Sequence, residues 1–300
     1  MARGELPPPL VSQAWAPYPP ANPTGIAVFG GARLAEGFTG GHDLTTPCNA
    51  LFHLELAATG ESGSPIWSKL HSSGSGLQQP AIRQGAGLVG LEGGLWLWGG
   101  RCANLANDPR VWWFDGTTWS VLFQEEGQGS KSKVQGAQRC RECFVSANIG
   151  DEVLVLVGVQ GRNTMVEDAA QWPLNVCKRK WQILHNDRGM RPEPTELVAA
   201  FVILDTLYIH GGQNNENVSQ GHFWAWRHGQ SRWEQLPTRG EHPHSLSEAV
   251  GLTLSAAVEG KALGVVFGGY FNSAYIPGRL LGTQEDVHNC RYSRSLFSLL

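Results

Sequence analysis

Apolar residues along this chain come in short runs, and four of the runs end in a pair of glycines: Ile26-Ala27-Val28-Phe29-Gly30-Gly31, Leu95-Trp96-Leu97-Trp98-Gly99-Gly100, Leu207-Tyr208-Ile209-His210-Gly211-Gly212 and Leu263-Gly264-Val265-Val266-Phe267-Gly268-Gly269. Runs of this length, bounded by turn residues, read as β-strands. Gly100 and Gly212 are 112 residues apart, and Gly212 and Gly269 are 57 apart. Half of the longer interval falls on a decayed copy, Val153-Leu154-Val155-Leu156-Val157-Gly158. The first interval, 69 residues from Gly31 to Gly100, carries an insertion. A fixed period of this size marks a repeat architecture, here with five units.

A second apolar run precedes each of these strands across a short link. Gly85 to Leu91 leads into Leu95–Trp98 through Glu92-Gly93-Gly94, Cys143 to Ile149 into Val153–Val157 through Gly150-Asp151, and Leu197 to Leu204 into Leu207–His210 through Asp205-Thr206. Ala249 to Leu254 precedes Leu263–Phe267 across a longer loop, and the proline-rich stretch from Val11 to Pro17 fills the same place in the first unit. Such links are hairpin signals, and prolines confine the first of these strands to a sheet edge or an irregular course. A tryptophan trails each glycine strand: Trp67, Trp119, Trp181 and Trp233. Each unit therefore predicts four antiparallel strands, over residues 10–70, 80–123, 139–185, 195–237 and 247–300. The last has a strand candidate from Val287 to Leu296 and no trailing tryptophan.

A strand ending in Gly-Gly, an aromatic strand such as Val111-Trp112-Trp113-Phe114-Asp115, and then a lone Trp resemble the kelch repeat. The resemblance spans nearly the whole chain. It implies an all-β fold, a kelch-type β-propeller over residues 1–300 with each unit a blade. The glycine pairs Gly30-Gly31, Gly99-Gly100, Gly211-Gly212 and Gly268-Gly269, with Gly158, are expected where a crowded strand end needs positive φ or a missing Cβ. The tryptophans are expected between neighbouring blades. Kelch propellers usually have six or seven blades. Five visible units mean either a five-bladed ring with an incomplete last blade or a piece of a longer propeller.

Composition agrees with short strands and tight turns. Glycine makes up 38 of 300 residues, tryptophan 12, and charged residues only 16%. A net charge of −3 with dispersed Arg and Lys gives no basic patch for nucleic acid. No apolar window reaches membrane-spanning length, and the proline-rich start has no apolar core of a signal peptide. Six cysteines without a secretory signal read as reduced thiols. These features predict a monomer in the cytoplasm or nucleus.

Chemical motifs are few. Gly85-Ala86-Gly87-Leu88-Val89-Gly90 has the form G-x-G-x-x-G but leads into another strand, where a dinucleotide site needs a helix. Cys140-Arg141-Glu142-Cys143 lacks a second ligand pair, and His242-Pro243-His244 lacks further ligands. No G-x-S-x-G, H-E-x-x-H or complete phosphate loop occurs. The ligand sets of copper-oxidase and iron-dependent kelch enzymes are missing as well. No catalytic residue, metal or cofactor is expected. Asn217-Val218-Ser219 is a glycosylation acceptor in form only.

The residues just after the glycine pairs remain: Arg33, Arg101, Arg162 in the decayed unit, Asn214, and Tyr270 with Asn272. On a propeller these loops share one face. The Gly-Gly-Arg and Gly-Gly-Tyr-Phe patterns are similar to those of BTB-kelch ubiquitin-ligase adaptors, in which such positions hold acidic peptides. The implied role is a non-catalytic protein-interaction module, a substrate-recognition or scaffolding protein, whose arginines grip carboxylates. The alternatives are a sugar or small-molecule enzyme using a central pocket, and a truncated form without independent function.

Overall fold

The computed structural model describes residues 3–7, 12–34, 44–47, 49–56, 64–70, 79–102, 108, 110–124, 141–142, 144–149, 152–156, 159–160, 164–165, 172–175, 180–181, 190–193, 195–214, 220–230, 232–237, 247–258, 261–271, 291–292 and 296–299. Among these the protein is all β apart from one short 3-10 turn, His228–Gln230. The chain divides into two compact units, Met1–Cys143 and Phe144–Leu300.

The first unit holds two main sheets. One runs Ala14–Tyr18, Gly25–Phe29, Leu51–Glu55 and Ile66–Leu70, each strand antiparallel to the next. The proline-bearing strand Ala14–Tyr18 lies at its edge, as its composition requires. Arg3–Gly4 adds a fifth strand, parallel to Ile66–Leu70, which no sequence pattern announced. The second sheet runs Arg83–Leu91, Gly94–Cys102, Arg110–Phe114 and Trp119–Gln124.

The second unit repeats the plan. Its first sheet is Val145–Ile149, Glu152–Leu156, Trp172–Asn175 and Lys180–Trp181. The next is Ala199–Ile203, Thr206–His210, Phe223–Arg227 and Arg232–Leu236. In the last, Ser247–Val258 pairs with Lys261–Phe271, whose other edge takes two short pieces, Arg291–Tyr292 and Leu296–Leu299. The single strand expected from Val287 to Leu296 is thus two segments on one neighbour. Apart from the added strand Arg3–Gly4, strand order follows chain order in the four complete four-stranded sheets, and the five main sheets fall on the five units of the sequence.

Successive side chains point to opposite faces, and because the runs are almost continuously apolar both faces are apolar, so one sheet can pack on two others. In the first unit, Ala14, Ala16, Ala27, Phe29 and Leu51 of one sheet bury against Leu88, Leu95, Leu97, Trp112, Phe114 and Trp119 of the next. In the second unit, Leu207, Ile209, Trp226 and Trp233 pack on Val145, Ala147 and Ile149. The opposite face of that sheet, through Ala199, Phe201 and Phe223, meets Val266.

The tryptophans sit where the repeat phase puts them, in the fourth strands. Trp119 lies edge-on to Phe29 of the adjacent sheet, with ring centroids 5.5 Å apart. Trp233 packs on Trp226, also at 5.5 Å. Trp67 is half-buried; for Trp181 the backbone pairs with Leu174. Three of the glycine pairs have left-handed backbone: φ is 71° and 91° at Gly30 and Gly31, 73° and 81° at Gly99 and Gly100, and 76° and 85° at Gly211 and Gly212. A Cβ on Gly100 would lie 2.7 Å from the Gln84 carbonyl oxygen, and one on Gly212 2.7 Å from that of Glu196. Both reasons expected for glycine therefore hold at these corners. Gly158 lies outside the described residues, and Gly268 and Gly269 fall within the strand Lys261–Phe271.

Candidate functional site

The residues beyond the glycine pairs and beyond Gly158 were expected as loops. They are instead largely extended. Ala32–Leu34 pairs with Leu44–Pro47, Arg101 and Cys102 continue the strand from Gly94, Val159–Gln160 pairs with Thr164–Met165, and Tyr270 pairs with Ser247 and Tyr292. Gln213 forms a bridge with Glu196, and Asn214 beside it is half-buried. Past Gly99-Gly100 the same ladder continues, with Arg101 opposite Gln84 and Cys102 opposite Arg83, whereas Ala32–Leu34 and Val159–Gln160 belong to small separate sheets.

Arg33 pairs through its backbone with Thr46. Arg101 lies opposite Gln84 in the ladder. With the Gln84 amide oxygen turned toward it, that oxygen accepts from Arg101 Nε at 3.2 Å and Nη2 at 2.6 Å. Arg101 is thus half-buried with a partner inside the fold, on a strand in place of the loop that the sequence suggested. Arg162 and Asn272 lie outside the described residues, as do Cys140, Cys143, His242, Pro243, His244 and Asn217.

Arg83 joins the two glycine corners of the first unit. Its carbonyl oxygen accepts from Gly31 N at 2.9 Å, while its guanidinium donates through Nη1 to the Gly99 carbonyl at 3.0 Å. Arg33 and Arg101 therefore start from corners on either side of one residue. Arg83 is completely buried. Its Nε donates to the Ala81 carbonyl at 3.1 Å, and Nη2 to Asp108 Oδ2 at 2.6 Å.

Asp108, 6% exposed, is the second centre of this cluster. It also accepts from Trp112 Nε1 at 2.9 Å, Arg110 N at 3.1 Å, Arg110 Nε at 2.7 Å and Arg110 Nη2 at 3.3 Å. Burial by itself raises the Asp108 pKa. The hydrogen bonds from Arg110 and Trp112 and the Arg83 charge outweigh it and hold the carboxyl below its ordinary value. The Arg110 guanidinium lies over the Trp112 ring, 4.7 Å from its centroid, a cation–π contact.

The cluster went unnoticed in the sequence, although signals exist. Arg83 is the lone charge between Gln79 and Leu91, and Asp108 and Arg110 flank Pro109 ahead of a tryptophan pair. A charge inside an apolar, glycine-rich strand needs a buried partner. No protein-family model matches the chain, and no curated protein matches it. Among the described residues, no three His, Cys, Asp or Glu side chains gather as metal ligands, and no helix is long and apolar enough to cross a membrane.

The glycines of the G-x-G-x-x-G stretch lie on the strand Arg83–Leu91. Gly85 N donates to the Ser12 carbonyl at 2.8 Å, and a Cβ on Gly90 would lie 3.1 Å from the Pro17 carbonyl oxygen. These glycines serve close approach of the neighbouring sheet, on a strand that opens no helix.

Proposed function

We propose that the chain is a kelch-type β-propeller whose blades are the five sheets. In this reading it is a non-catalytic interaction module, a substrate-recognition or scaffolding protein acting as a monomer in the cytoplasm or nucleus. The segments that follow the glycine pairs take an acidic stretch of another protein, with Arg33 and Arg101 of the first unit as the contacts. The observation that carries the reading is the Arg83 junction, from which two arginine-bearing corners leave side by side. Guanidinium groups grip carboxylates with two parallel hydrogen bonds, and a local positive field on a chain of net charge −3 favours acidic partners.

The test is the binding of a glutamate-rich peptide against its glutamine counterpart at low and high salt. The acidic peptide should bind in preference and weaken as salt rises. Arg101→Ala should cost about 1.5–3 kcal/mol of affinity, the range for hydrogen bonds to charged groups. Equal binding of the two peptides, or no effect of Arg101→Ala, would overturn the reading.

A further inference from the structure

Arg110 has a geometry that a surface arginine ordinarily lacks. Its Nε and Nη2 are tied to the two oxygens of Asp108 at 2.7 and 3.3 Å, its backbone N–H donates to the same carboxylate, and its plane rests on Trp112. The carboxylate is fixed in turn from the far side by the buried Arg83. Yet the Arg110 side chain remains 36% exposed, and Nη1 takes no part in the fork with Asp108.

Charge points the same way. Arg83 and Arg110 share one carboxylate, so these three side chains carry one positive charge in excess. Arg83 is sealed from solvent, which leaves the excess at Arg110. A guanidinium already fixed on one edge and one face loses little side-chain freedom when an anion arrives, and such preorganisation favours binding. In the ladder Trp112 lies opposite Leu97, which puts Arg110 at the same end of the sheet as the Gly99-Gly100 corner and Arg101.

We propose that Arg110 is an anion-binding residue of this rim, set in place by Asp108 and Trp112, and that it takes a carboxylate of the acidic segment. The inference rests on the reading above and adds to it a residue from the third strand. Asp108 and Arg83 are positioning residues, since they act on the ligand only through Arg110.

The experiment uses the full chain with Arg110→Gln and Arg110→Lys, each checked for an unchanged thermal transition. Binding of the glutamate-rich peptide should fall roughly ten-fold or more in Arg110→Gln, the lower end for a lost charge-assisted contact. Arg110→Lys keeps the charge without the fork and should recover only part of that loss. Should the wild type bind the peptide and Arg110→Gln bind it equally well, Arg110 has no such role and the wider reading stands. Full affinity in Arg110→Lys overturns the preorganised fork. A separate arm titrates sulfate at constant ionic strength and follows thermal stability. Stabilisation of the wild type that is absent in Arg110→Gln supports an anion site at Arg110 even if the acidic peptide fails to bind. Absence of that stabilisation together with no peptide binding overturns both ideas.

Discussion

The second sheet of the first unit and the Ala199–Leu236 sheet of the second unit turn the same backbone corner with different chemistry. Left-handed φ values agree within a few degrees, 73° and 81° against 76° and 85°, and a Cβ on the second glycine would approach a carbonyl oxygen to 2.7 Å in both. Around Gly100 the corner is fastened by buried charge, Arg83 to Asp108. Around Gly212 it is fastened by Glu196 and Gln213, which exchange two backbone hydrogen bonds of 3.0 Å and add one side-chain bond of 3.2 Å. The repeat therefore constrains where the chain bends and leaves the polar fastening free. The glycine geometry survives that change of chemistry.

Removing one fastening from each corner should have unequal effects. Asp108→Ala leaves Arg83 charged and sealed in the fold, and losing one partner of a buried pair costs about 3–5 kcal/mol. Glu196→Ala removes a partly buried side-chain bond but leaves the backbone bridge, for about 1 kcal/mol. Urea midpoints of the two variants measure the difference. Equal shifts would mean that the ion pair is no more structural than its neutral counterpart.

The tryptophans test where the two sheets agree. Trp119 and Trp233 are 5% and 3% exposed, and each belongs to a cluster shared with the adjoining sheet. Replacement of either by Ala should cost about 3–5 kcal/mol, as for large buried aromatics. Half-buried Trp67 should cost less. A large gap between Trp119→Ala and Trp233→Ala in denaturant unfolding would show that the repeat positions are not equivalent in packing.

The smallest effect lies at the turns between third and fourth strands. In the second sheet Asp115 accepts from the backbone N–H of Thr118 at 2.7 Å and of Thr117 at 2.8 Å. These bonds and those from the threonine hydroxyls lower its pKa from 3.8 to about 2. A depressed carboxyl contributes stability that is whole above the unfolded value and fades as pH falls toward the folded one. The contribution should thus vanish between about pH 4 and pH 2, and Asp115→Asn should flatten stability in that window. The site is exposed, so the effect is small and screened by salt. The corresponding turn of the other sheet, His228–Gln230, has no carboxylate. An unchanged acid limb in Asp115→Asn would remove this distinction between the turns.

Sheet content, the five-unit phase, the hairpin pairs and the glycine corners were all legible in the sequence, since period-2 burial and positive φ act on neighbours along the chain. The position of Arg101 just after a glycine pair was legible, though its contact with Gln84 was not, because that partner comes from across a ladder. The parallel strand Arg3–Gly4 carries no pattern of its own, for two residues cannot show a period.

The division follows the range of the forces involved. Local backbone geometry and alternation are written in consecutive residues, so the hairpin pairs of each unit, the place of every trailing tryptophan and the need for Gly-Gly were determined by the sequence alone. The fate of a buried charge depends on what faces it. Arg83, Asp108 and Arg110 stand 25 and 2 residues apart, and only the tertiary structure folds the strand end, the glycine corner and the return segment onto one carboxylate. Desolvation then binds the three together: an arginine sealed from water must find an acceptor, and the acceptor that the fold supplies also orients the arginine left facing solvent.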